Sequence, residues 1–118
     1  AGERQIRLWD KVTIGNRNNG PHADAELHVN GKIAARRVIV TAHNWSDYVF
    51  EDAYELRNID ELDSYIKENG HLPNIPSTEE VMNSGIDVAD MNRLLLEKIE
   101  ELTLYVIDLQ EQIKDLRK

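Results

Sequence analysis

Along the chain the spacing of apolar residues changes character near residue 58. Before it the period is close to two: Ile6 and Leu8, then Val12 and Ile14, alternate with polar neighbours. Leu27, Val29, Ile33 and Ala35 do the same around an Asn30-Gly31 pair. Alternation fits a half-buried strand, in which successive side chains point to opposite faces, so residues 5–41 are expected to be strand-rich. Asn30-Gly31 predicts a type I′ hairpin turn, because both central positions of that turn need positive φ. The polar "GNRNNGPHAD" before it reads as a loop. Two short strand pairs bury little by themselves and call for a neighbouring chain or a following domain.

After residue 58 the pattern is helical. Asn58 with Glu61 three residues on has the form of a capping box, Gly70 stands where a left-handed C-cap is wanted, and Ile59, Leu62 and Ile66, with Tyr65 beside them, make one apolar stripe. "HLPNIPS" predicts an extended linker, since Pro73 and Pro76 disfavour helix at the residues before them. Ser77 with Glu80 predicts a second, short helix ended by Gly85, and Asp87 with Asp90 opens a third that runs to the C-terminus.

The third helix carries a strict seven-residue repeat. Asn92, Ile99, Val106 and Ile113 at a place Leu95, Leu102, Leu109 and Leu116 at d. A helix lying on its own core needs apolar residues about every 3.6 positions, whereas an unbroken 3.5 spacing is the mark of a coiled coil. Ile or Val at a with Leu at d favours two strands. Against that, Leu96 and Thr103 at e and Tyr105 at g are uncharged, only Lys98 at g is charged, and Leu94, Leu104 and Ile107 widen the apolar arc. The wider arc favours a parallel homotrimer, with Asn92 helping to fix register.

Between the two patterns lies "NWSDYVFEDAYEL", residues 44–56, with four aromatic residues in a chain only 6% aromatic. Trp45, Tyr48, Phe50 and Tyr54 are expected to form an aromatic joint that plugs the junction, Trp45 and Phe50 most deeply buried and the Tyr48 hydroxyl wet.

Charge and composition narrow the function. Residues 1–45 carry seven Lys or Arg against four Asp or Glu, residues 46–85 two against ten, and residues 86–118 five against eight. An acidic middle and tail argue against nucleic-acid binding, which needs clustered cations. No apolar run is long enough to span a membrane, and no signal-peptide layout is present. Absence of cysteine removes disulfides and thiolate chemistry.

Nor does the sequence offer a reaction or a cofactor. Ser46-Asp47, even with His43 upstream, lacks a readable base and oxyanion hole and reads as a turn or cap. His22, His28, His43 and His71 have no metal-ligand spacing, and His71 reads as a linker histidine bonded to backbone. The acids of "EDAYELRNIDELD" read as a solvated face. "GNRNNG" lacks the Lys-Ser/Thr and the helix of a phosphate loop.

Taken in order, "LHVNGKI", "WSDYVFEDAYEL", "HLPNIPS", "GIDVADMN" and "LLLEKIEELTLYVIDLQ" resemble the C-terminal region of fibre-like proteins of Bacteroidetes and their phages, the tail fiber domain-containing proteins. The resemblance covers the chain from about residue 25. It implies a C-terminal tip or trimerisation module of an extracellular or virion fibre. A more distant likeness is to the endosialidase-type intramolecular chaperone family, some members of which cut themselves just before a Ser-Asp pair in a Ser-Asp-x-Arg-Leu-Lys motif. Ser46-Asp47 match it, but Tyr48, Val49, Phe50 and Glu51 follow, so the arginine and lysine are missing. That departure argues against self-cleavage.

The expected molecule is an elongated α+β homotrimer. Residues 1–43 form a β-rich shaft end, 44–86 the aromatic joint and a helical knob, and 87–118 a parallel coiled coil. Its expected role is non-catalytic, registering chains for fibre assembly, with an adhesin tip that binds a cell-surface receptor or glycan as the main alternative. The other alternative is an intramolecular chaperone with self-cleavage.

Overall fold

The helical half of the chain forms where its caps dictate. A computed structural model describes residues 2–15, 22–41 and 44–118. It contains strands β1 (Val12–Ile14) and β2 (Leu27–Val29) and helices α1 (Ile59–Asn69), α2 (Thr78–Ser84) and α3 (Val88–Leu116). The class is mixed helix and strand, dominated by a long C-terminal helix.

Each helix begins on a side chain that accepts a free backbone N–H of the first turn. Asn58 accepts from the Glu61 N–H and Asp87 from the Asp90 N–H. Around Ser77 the capping box is complete, the Glu80 carboxylate returning to the Ser77 backbone. At Asn58 only the forward half forms. Gly70 ends α1 at φ 75°, and its N–H donates to the Ile66 carbonyl. That left-handed conformation is cheap for glycine and costly for residues with a Cβ. The linker after it makes a second excursion at Asn74, φ 65°. His71 bonds the Leu72 carbonyl through Nδ1 at 2.9 Å and meets Tyr65 edge-on, as a linker histidine should.

Two compact units emerge, residues 1–39 and 40–118. In the first, β1 and β2 pair in parallel, Val12 opposite Leu27 and Ile14 opposite Val29. The expected hairpin at Asn30-Gly31 does not form. Neither residue takes positive φ, and the Asn30 N–H is spent on the Ile14 carbonyl at 2.8 Å, extending the β1–β2 ladder instead. Gly15 permits this approach: at φ 101°, a Cβ there would lie 3.0 Å from that of Asn30. Residues 5–8 and 33–40, also expected as strands, have no ladder partner among the described residues, and Ile6, Ile33, Val38 and Ile39 are exposed. Ile6 and Leu8, and Ile33 and Ala35, do alternate, but neither segment joins the β1–β2 ladder among the described residues.

The second unit holds both the expected knob and the C-terminal helix. Its helices do not pack closely on one another. Instead the irregular segment 44–57 lies against α3 through side-chain bonds, and the linker residues Leu72, Pro73, Ile75 and Pro76 line grooves along it. Among the described residues Val49 is a fully buried apolar side chain, at 2% exposure.

Candidate functional site

The aromatic joint divides into two pairs with different fates. Trp45 and Phe50, expected to be most buried, are 60% and 62% exposed in the single chain. Tyr48 and Tyr54 take the inner positions, rings tilted with centroids 5.9 Å apart. The reason is hydrogen bonding. A phenol carries apolar area and a donor, so it can settle against a charged helix face that offers acceptors, whereas Phe gains nothing from those carboxylates. The Tyr48 hydroxyl, expected to be wet, donates to Glu97 Oε1 at 2.5 Å and receives a bond from Arg93 at 3.3 Å. Tyr54 donates to Glu101, and Tyr105 to the Arg57 carbonyl at 2.5 Å.

Glu97 is the centre of this arrangement. It is 5% exposed, a depth at which an unpaired carboxylate would be costly. Lys98, itself largely buried, supplies the compensating charge, its Nζ 3.5 Å from Glu97 and 3.1 Å from Glu101. Burial, then the bond to Glu97, raises the Tyr48 pKa above the ordinary phenol value. Burial and the bond to Glu101 raise that of Tyr54, and burial followed by the Glu101 charge raises that of Tyr105. Sequence reasoning missed the carboxylates of α3. The available signal was the choice of Tyr over Phe at 48 and 54, whose hydroxyls need a protein partner once their rings are drawn inward.

These bonds give the heptad a physical meaning. Arg93 and Glu100 occupy b, Glu97 f, Glu101 c and Tyr105 g, so residues of the same chain hold the arc b–f–c–g of α3. Leu94 at c and Leu104 at f are half-buried within it. The opposite edge is open. Leu95, Ile99, Leu102, Val106, Leu109, Ile113 and Leu116 are between 46% and 85% exposed, and Asn92 is exposed with them. The two ends of the helix differ as well: beyond Tyr105 the bonds of α3 stay within residues 108–118.

Ser46 is buried, and its hydroxyl donates to Glu100 Oε2 at 3.4 Å. The turn expected at Ser46-Asp47 begins two residues later, where the Glu51 N–H donates to the Tyr48 carbonyl. His43 lies outside the described residues, as do residues 16–21 of the loop in the first unit. The acids of residues 51–63 are exposed, and Asp63 pairs with Lys67 at 2.8 Å. Among the described residues no cluster of three or more His, Asp or Glu is arranged to hold a metal, and no helix is long and apolar enough to cross a membrane. Comparison with protein-family models, with curated proteins and with solved structures returns no match.

Proposed function

We propose that residues 40–118 are the non-catalytic assembly and registration module of a fibre-like extracellular or virion protein, joining identical chains through α3 as a parallel homotrimer. The observation that carries this reading is the division of labour around α3. One arc is fastened to its own chain, and the strict heptad on the other stays uncovered along the whole helix. Seven apolar side chains held in a row on a rigid rod of about 44 Å, at 1.5 Å per residue, are costly to leave in water. Three strands fit better than two because Leu96, Thr103 and Gln110 at e lack the charges that two-stranded coils pair across their flanks.

Registration follows from parallel association. Helices in one register hold the upstream segments of all chains at high effective concentration, lowering the entropic cost of non-local strand pairing. Ile6 and Leu8, and Ile33 and Ala35, have the alternation for such pairing, and among the described residues segments 5–8 and 33–40 join no ladder. The test is the double variant Leu102→Glu/Leu109→Glu, expected to run at the mass of one chain. If it kept the parent mass, the seam would not be the joint.

A second reading, an adhesin tip, is favoured by outward-facing Trp45 and Phe50, since exposed aromatic rings are common anchors for sugars and proteins. Glycan-array binding lost in Trp45→Ala, with assembly unchanged, would support it. Self-cleavage would need Ser46 activated from its buried contact with Glu100. Intact mass after folding is expected to give no fragment beginning at Ser46.

A further inference from the structure

Beside the seam a groove of about 340 Å³ runs between α3 and the rest of its own unit. Its floor is Leu95, Ile99 and Leu102, the N-terminal half of the heptad. Its far wall is Leu62 of α1 with Leu72 and Pro73 of the linker. Lys98 and Tyr105, both g positions, line it too, so the wall stands on the g side of the helix.

We infer that this groove is the seat of α3 from a second copy of the chain, so that the knob of one chain clamps the helix of its neighbour. The inference rests on the parallel-coil reading and names what that coil touches besides itself. Three features identify the occupant. The floor residues belong to a repeat that continues unbroken to Leu116, so whatever covers the lower seam reaches the groove as a rod of the same period. In a parallel coil the g row of one helix lies beside the e row of the next, and the knob stands on the g side. At the level of the groove the e row of α3 is Leu96 and Thr103, both uncharged, the Thr103 hydroxyl already donating to the Ile99 carbonyl, so this stretch suits an apolar wall. The e side is also the flank on which the same-chain bonds described above do not fall, so the occupant's own knob does not obstruct docking.

The coil is thereby given a defined start. Only its first heptads are clamped by knobs, while the part beyond Tyr105 is a bare bundle. A clamp on one flank also sets the direction in which each chain hands on to the next.

Because the chain has no cysteine, single thiols report contacts cleanly. Leu72→Cys and Thr103→Cys chains, made separately and co-expressed, are treated with a short bismaleimide and the linked peptides identified by mass spectrometry. A 72–103 link can form only between chains. Leu109→Cys, tested alone under the same conditions, reports the seam away from the knob. Links at both places are expected. A 109–109 link without any 72–103 link overturns the clamp and leaves the coil standing. Failure of both overturns the clamp together with the parallel coil beneath it.

Discussion

At the scale of single residues, the second unit is held by Tyr48, Tyr54 and Glu97 rather than by the larger rings beside them. Tyr48→Phe removes the donor at Glu97 Oε1 and leaves a buried acceptor short of a partner, which costs about 1–3 kcal/mol. Chemical denaturation is expected to read that loss as a lower midpoint at unchanged slope. Val49→Ala should cost about 2 kcal/mol, since a buried Val side chain contributes roughly 1.5–3 kcal/mol. Trp45→Ala, at an exposed position, should stay within about 0.5 kcal/mol when it and Val49→Ala are each introduced into the chain terminated after Ile107, which is expected to dissociate with its second unit folded. A Trp45→Ala loss as large as that of Val49→Ala under those conditions would contradict this ordering. The phenols also make stability depend on pH. Folding raises the pKa values of Tyr48, Tyr54 and Tyr105, so their contribution is complete below the unfolded value of about 10 and is lost as pH rises through the folded values. Thermal melting is expected to fall above about pH 10, less steeply in Tyr54→Phe. A parallel fall in parent and variant would detach the effect from this tyrosine.

At the scale of elements, α3 serves its own unit and, in the proposed assembly, the coil, and its halves can be separated. Its bonds to the rest of the unit end at Tyr105, so a chain terminated after Ile107 should keep the folded second unit while losing two of four heptads. Such a chain is expected to retain its tyrosine environment by near-UV dichroism and to dissociate at concentrations where the parent does not. Loss of the dichroism would mean that the distal helix supports the fold itself. This division explains what the sequence disclosed. Helix ends were legible because caps are local chemistry: Asn58, Ser77 and Asp87 each act within three residues of themselves. The heptad was legible as a period. The b–f–c–g contacts were not, because Glu97 at f looks like any solvated acid until residues 44–54 are laid across it. Asn30-Gly31 misled for the same reason, a strong local preference yielding to a distant carbonyl, that of Ile14.

At the scale of the whole molecule, each unit leaves apolar side chains uncovered. The first unit has a three-residue parallel ladder and exposed Ile, Val and Trp side chains, and the second has a helix with one open edge. With so little apolar surface buried among its described residues, the chain is at the margin of independent stability. The proposed homotrimer covers the seam, gives the groove by Leu72 an occupant and offers the upstream strands neighbouring edges. The measurement that reaches this claim most directly is the solution mass by sedimentation equilibrium. With a chain mass of 13.6 kDa, the proposed homotrimer gives three times that value, holding over the concentrations at which the helices remain folded. A folded species at the mass of one chain would contradict assembly through α3, and one at twice that mass would contradict the trimer.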